Sequence, residues 1–296
     1  MNYSKPPLDF TQQTQLLLSR GLQANPTDLQ AFLEQVNYYR LSGYLYPYRR
    51  INSDDFIDGT SFHDILSIYN FDSKLRHLTF SAIEKIEISI LRTQLVKNFS
   101  FYAGPFCYTQ INNYTNIPVQ KFRLLQTHIT ESVTRSNEKF VESYKKKYTS
   151  EKYLPFWMVA EVLSMSQLSK IFQYAPNQVI FPISRQYNLH SDILRSWLHV
   201  LTVIRNKSAH HNRLWNIGLG IKPRLPNRKY HPEFYSPYIV NNSSFQSILA
   251  IMHYLLKIIH PSNSLISDFK KILLEHPEVS LSNLGLPTDW ETSPLF

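Results

Sequence analysis

Arg205-Asn206-Lys207-Ser208-Ala209-His210 sets a fixed cation, an amide and a titratable base within one short run, and His211, Arg213 and Trp215 follow at once. Histidine exchanges protons near neutral pH and serves as general acid or base. Arginine stays protonated and holds phosphate oxygens with its forked donors. Asparagine orients the histidine by a hydrogen bond or contacts phosphate. Such groups suit the cleavage of RNA without a metal, because the ribose 2′-OH is a nucleophile already held beside the phosphorus. Protein groups must then take its proton, steady the phosphorane charge and protonate the leaving 5′-oxygen. DNA lacks the hydroxyl and is not cut this way. On a helix, Asn206 and His210 share a face, with Arg213 three residues on. Arg205 lies about 140° from His210 at 3.6 residues per turn. Convergence needs the arginine to swing back, which is easiest if the helix ends near Ala209. The alternative is a histidine that only caps or decorates a basic helix.

Charge supports the first reading. From Ile193 to Pro232 there is no Asp or Glu, while Arg195, Arg205, Lys207, Arg213, Lys222, Arg224, Arg228 and Lys229 all fall there, with His199, His210, His211 and His231. That segment accounts for nearly all of the net charge of +9. A concentrated basic stretch beside a candidate base implies a polyanionic ligand. Arg213, Lys207, His211, Arg224, Arg228 and Lys229 are the expected phosphate contacts. Aromatic residues make up 14% of the chain, and unpaired bases stack on such rings, although most of them belong to the core. The lone Cys107 excludes an internal disulfide and a cysteine-rich zinc site, and fits a reducing cytoplasm. The opening MNYSKPPLDF lacks a basic segment followed by an apolar run, so no secretory leader is expected. The greasy stretch Ile248–Ile259 is too short to span a bilayer and carries His253 and Lys257, so no membrane partner is expected.

Elements that position these residues read as helices throughout. Only 7 glycines in 296 residues argues against tight-turned β architecture. Thr11–Arg20 predicts a helix capped by Gly21, and Thr27-Asp28-Leu29-Gln30 opens a second toward Tyr39. Gly43 and Pro47 bend or end the helix there. Nothing breaks Ser61–Ala103, which predicts one very long helix or two nearly continuous ones. Glu84 and Glu87 on it face one way at i,i+3 spacing, as a structural ion-pair site or as half of a metal site. Residues 104–118 form a loop, and Val119–Tyr148 a polar helix ending in Lys145-Lys146-Lys147, either a solvated helix end or a phosphate contact. Pro155 starts a buried helix, Phe156–Tyr174. Ser191-Asp192 starts the key helix, whose stripe Ile193, Leu194, Trp197, Leu198, Leu201 and Ile204 faces the core. Residues 218–238 form a proline-rich loop; Ser244–His260 and Ser264–Leu274 are helical, and a short tail follows with Trp290 as its anchor. The expected fold class is all-α, a multi-helix bundle with eight or nine helices and no strand.

Arg205-Asn206-Lys207-Ser208-Ala209-His210 also matches the R-N-x-x-x-H form of the motif of HEPN domains, and the run RNKSAHHNRLWN from Arg205 to Asn216 resembles the Abi-like (AbiD/AbiF) abortive-infection proteins of bacteria. Further blocks resemble the same family in order: YYRLSGYLYPYR at 38–49, FDSKLRHLTFSAIEKIEISILR at 71–92, LPFWMVAEVLSMSQLSKIF at 154–172 and LGLPTDW at 284–290. The resemblance implies an all-α, cytoplasmic, metal-independent endoribonuclease of phage defence or of a toxin–antitoxin system, needing no cofactor. It implies Arg205 and His210 as the catalytic pair with Asn206 in support, and Arg40 and Tyr44 as RNA contacts or residues shaping the site, or equally as structural residues. It further implies a composite site from two motif copies. With one copy per chain, a homodimer is expected, with RNA as the cleaved partner and a small noncoding RNA as a second partner. One unit over 1–296 is expected, with N-terminal helices over 8–50, a HEPN-like core over 60–260 and a C-terminal helix and tail over 261–296. Two other readings stand beside this one: a catalytically silent RNA-binding module, and a helical protein whose Arg–His segment is only an interface.

Overall fold

The computed structural model describes residues 6–296. The part of the leader reading that rests on residues 1–5 lies outside them. In chain order the helices are α1 (Phe10–Ser19), α2 (Pro26–Gln35), α3 (Tyr38–Leu45), α4 (Phe62–Ile86), α5 (Val96–Ala103), α6 (Val119–Arg135), α7 (Lys139–Lys147), α8 (Phe156–Val162), α9 (Met165–Tyr174), α10 (Asn177–Gln186), α11 (Ser191–Ala209), α12 (Phe245–Ile259) and α13 (Leu265–Leu274). Short 3-10 turns fall in the connections and the tail. Among the described residues there is no β-strand, only two isolated bridges. The fold is all-α. No helix among the described residues is long and apolar enough to cross a membrane.

Contacts divide the chain into two compact units. One holds the residues through Arg76 together with Asp268–Ser280; the other holds His77–Ser267 and Leu281–Phe296. The first contains α1 to α3 and the start of α4, and α1 packs on α2. Its buried centre includes Tyr44, whose hydroxyl donates to Asp72 at 2.6 Å and accepts from Arg76 at 3.3 Å, while Arg76 also pairs with Asp72. Burial, then the Asp72 carboxylate, pushes the Tyr44 phenol well above its ordinary value. The second unit contains the key helix. There α9 and α10 pack against α11, and the run from Glu87 through α5 packs on α8, α9 and α10. Trp197, Leu201 and Ile204 of α11 are fully or almost fully buried, as the stripe requires.

Several helices differ from expectation for local reasons. Asn25, not Thr27, caps α2: its side chain accepts from Thr27 N at 2.9 Å, and Pro26 takes the first helical position, where a missing N–H costs nothing. The helix does not reach Tyr39, because Val36 is extended and Asn37 caps a new helix by accepting from Tyr39 N at 2.8 Å. The polar segment Val119–Tyr148 breaks at Ser136–Glu138, all extended or unwound there. Phe156–Tyr174 breaks at Ser164, whose reciprocal capping box with Gln167 starts α9. Sequence patterning misses α10, since Pro176 precedes it and Pro182 sits inside it. The uninterrupted run after Ser61 is continuous to Ala103, but Glu87–Leu95 is wound as a π-helix.

Candidate functional site

The π segment determines what surrounds Arg205. In a π-helix residues five apart share a face, and here Arg92 donates to Glu87 Oε1 from Nη2 at 2.7 Å and from Nε at 3.1 Å. Thr93 Oγ1 likewise donates five residues back, to Ile88 O at 2.9 Å. Arg92 also donates to Leu163 O at 2.9 Å and to Ala160 O. These are carbonyls at the end of α8, where a helix lacks internal partners. Glu87, itself buried, is thus part of an ion pair, the structural alternative for this residue; Glu84 forms none among the described residues.

Arg205 leaves α11 toward that segment. Its guanidinium stacks over Phe80 at 5.4 Å and lines a cavity of about 200 Å³ with Glu84, Glu87, Ile88 and Arg92. Arg205 Nη1 donates to Asn206 Oδ1 at 3.3 Å, and Asn206 Nδ2 donates to Ser166 Oγ at 3.0 Å on α9. Arg205 Nε is shielded from solvent with no hydrogen-bond partner among the described residues. Sequence reasoning did not find Phe80 or Ser166. Both lie in the blocks 71–92 and 154–172, but nothing in their spacing points to Arg205.

His210 is arranged differently. It is the C-cap of α11 and is exposed, and its ring makes no hydrogen bond or ion pair among the described residues. The helix ends in a Schellman motif: His211 N donates to Ser208 O at 3.1 Å and Asn212 N to Lys207 O at 2.8 Å. The left-handed residue of that motif is His211, with φ of 58°, where glycine is the usual occupant. The structure therefore joins Arg205 to Asn206 and leaves His210 apart, projecting from the helix end. The helix stops at Ala209, but Arg205 turns to the cavity instead of swinging back.

The acid-free segment sorts by exposure. Arg195 is committed to structure: it donates to Ala175 O at 2.7 Å and to Asn177 at 3.2 Å, and burial lowers its pKa. His231 is buried between Asn188 O at 2.8 Å and Glu233 at 3.1 Å. Lys222, Arg224, Arg228 and Lys229 are exposed. The loop that carries them is pinned along α11: Arg224 N donates to Ser196 Oγ at 2.9 Å, and Trp197 Nε1 donates to Arg224 O at 2.8 Å. Arg228 lies over Tyr235 at 5.9 Å, Lys229 over Tyr230 at 5.7 Å, and Arg213 over the buried Trp215 at 5.9 Å. Lys207 is half-buried on the last turn of α11. Arg40 is exposed on α3 in the other unit, where Tyr44 is 2% exposed.

Other reactive groups offer less. Cys107 is buried, which pushes its thiol up to about 12, so it is not a ready nucleophile. Among the described residues, His63, Asp64 and Glu278 bring three potential metal ligands within 4.8 Å of one another, at the surface of the first unit. Glu84 and Glu87 are joined by no third ligand among those residues.

With this geometry in view, comparison with known proteins settles the family. A model of the Abi-like protein family matches residues 31–216. The chain belongs to the Abi-like family. The match runs from α2 through α11 and includes Arg205, Asn206, His210 and Trp215. No curated protein and no solved structure matches the chain.

Proposed function

We propose that this Abi-like protein is a metal-independent endoribonuclease of phage defence. Membership of the family suggests a role in abortive infection, which is the coarser part of this reading. The observation that carries the finer part is His210: an exposed imidazole with no hydrogen-bond or ion-pair partner among the described residues, held at a fixed helix end and close in sequence to Arg205, Lys207 and Arg213. A base kept free of internal hydrogen bonds is available to take a proton from a substrate hydroxyl. In the proposed reaction His210 removes the 2′-OH proton and the 2′-oxygen attacks phosphorus. Arg205 stabilises the charge on the non-bridging oxygens, and the P–O5′ bond breaks as the 5′-oxygen takes a proton from a second acid, water or the His210 imidazolium of a second copy. Asn206 holds Arg205 through its Oδ1 and is itself held by Ser166.

The products test this. Purified protein incubated with end-labelled RNA in EDTA is expected to leave a 2′,3′-cyclic phosphate and a 5′-hydroxyl. Strict magnesium dependence with 5′-phosphate ends would overturn the mechanism and turn attention to Glu84 and Glu87. A second reading, a silent RNA-binding module holding a small noncoding RNA, draws on the turn of Arg205 into its cavity, away from His210. It predicts RNA binding with no cleavage by the wild-type chain, and a discrete RNA that copurifies with it.

A further inference from the structure

A large cavity lies in the unit that does not carry the Arg205–His210 motif. It has a volume of about 780 Å³ and is formed by the start of the chain, α1, α3 and the turn after α3. That volume lies within the ordinary range for a small-ligand site. Its α1 wall lies outside the segment matched by the family model.

The walls combine rings with cations. Tyr39 is 77% exposed and Tyr46 71% exposed, both at the cavity. Tyr38 meets Tyr39 edge to face at 5.8 Å, and Phe10 adds a further exposed ring. Between the rings stand Arg20 and Arg49. Arg20 Nη2 and Arg49 Nη1 share one carboxylate, Asp54, at 2.6 and 2.8 Å, which leaves one net positive charge at the wall. Arg20 is steadied by Tyr38 Oη at 3.3 Å, and Arg49 lies over the Tyr46 ring at 6.0 Å. Two polar side-chain atoms of lining residues, the donor Arg49 Nε and the acceptor Gln13 Oε1, are packed inside the wall, with no hydrogen-bond partner among the described residues. The exposed groups of the wall are therefore its tyrosine rings and the terminal guanidinium nitrogens of Arg20 and Arg49.

We propose that this cavity is a second RNA-binding site, taking unpaired nucleotides of a single strand with bases stacked on Tyr39 and Tyr46 and a phosphate at Arg20 and Arg49. The faces of a nucleobase stack on tyrosine without regard to sequence. A phosphate accepts from guanidinium N–H groups not already used by Asp54. This site rests on the RNA reading above, and it would anchor a strand on residues other than those proposed to cut it.

The test uses the full chain carrying His210→Ala, so that bound RNA is not cut, with anisotropy of a labelled 12-nucleotide oligouridylate. Adding Tyr39→Ala with Tyr46→Ala is expected to weaken binding at least ~10-fold, since stacking on one ring contributes about 1–3 kcal/mol. Tyr39→Phe with Tyr46→Phe should bind like the parent, because the rings remain. Arg20→Gln with Arg49→Gln should reduce the log–log salt slope by roughly 0.7 for each phosphate no longer engaged. A 4-thiouridine oligonucleotide should crosslink to Tyr39 or Tyr46. If the parent binds RNA, the alanine pair binds as tightly and the crosslinks fall only within residues 193–232, the cavity site is overturned while the RNA reading stands. If the parent binds no RNA, both fall. Displacement of the oligonucleotide by micromolar uridine monophosphate would make the ligand a free nucleotide and overturn the strand site.

Discussion

His210 and its neighbour His211 differ in what holds them. The His210 ring projects from the end of α11 with no hydrogen-bond or ion-pair partner among the described residues. His210→Ala should therefore abolish RNA cleavage while the thermal midpoint stays within a few degrees, the shift expected for about 1 kcal/mol or less. Cleavage at the wild-type rate by this variant would remove His210 from the mechanism. His211 holds the left-handed turn that closes the helix. A β-branched side chain is strained there, so His211→Val should lower stability by about 1–2 kcal/mol in urea titration. Equal stability would mean that the turn relaxes to another conformation. Tyr44 shows the limit of reading a residue by type. As an aromatic in a conspicuous motif it suits an RNA contact or a structural role alike, and its hydroxyl is engaged with Asp72 in the interior.

At the scale of elements, the C-terminal block LGLPTDW acquires a physical explanation. Gly285 has φ of 73°, and a Cβ there would fall 2.0 Å from Ser244 Oγ at the start of α12. Gly285→Ala combines backbone strain with a steric clash and should cost about 2 kcal/mol or more in chemical denaturation. A neutral outcome would show that the tail is free to shift. Within α12, burial and then the nearby Lys257 push the His253 imidazole down to about 4, from an ordinary value of 6.5. The unfolded chain takes up that proton as pH falls through 6.5, and the folded chain only near 4. Stability linked to His253 is complete above pH 6.5 and is lost as pH falls toward 4. Urea midpoints measured between about pH 7.5 and 4.5 should decline, and His253→Gln should make the decline shallower. Parallel slopes for the two proteins would show that His253 is already solvated.

For the whole molecule, the separation of Arg205 from His210 bears on assembly. One chain offers a free base and an arginine that faces a cavity. In-line cleavage needs proton removal, charge stabilisation and leaving-group protonation at one phosphate. Two chains related by a two-fold axis bring two histidines and two arginines to it. Mixing wild-type and His210→Ala chains under subunit exchange should then give activity that does not track the wild-type fraction. Strictly proportional activity, or a fully active monomer in sedimentation, would exclude a composite site.

Helical periodicity, the scarcity of glycine and the run of apolar positions from Leu194 to Ile204 were enough to predict an all-α chain and the buried face of α11, because burying such a stripe is a local consequence of spacing. The ordered blocks around Arg205 and His210 were enough to place it in the Abi-like family, as the match over residues 31–216 shows. Helix breaks at Val36 and Ser164 were partly legible, since capping residues stand there, yet a cap signals an end only when tertiary packing takes the next turn elsewhere. The π winding of Glu87–Leu95 was not legible, because one extra residue per turn leaves no mark in a continuous helical pattern. The direction of Arg205 was likewise undetermined. A long side chain chooses among rotamers by what surrounds it, and only the packed structure brings Phe80, Glu84 and Ser166 to that end of α11.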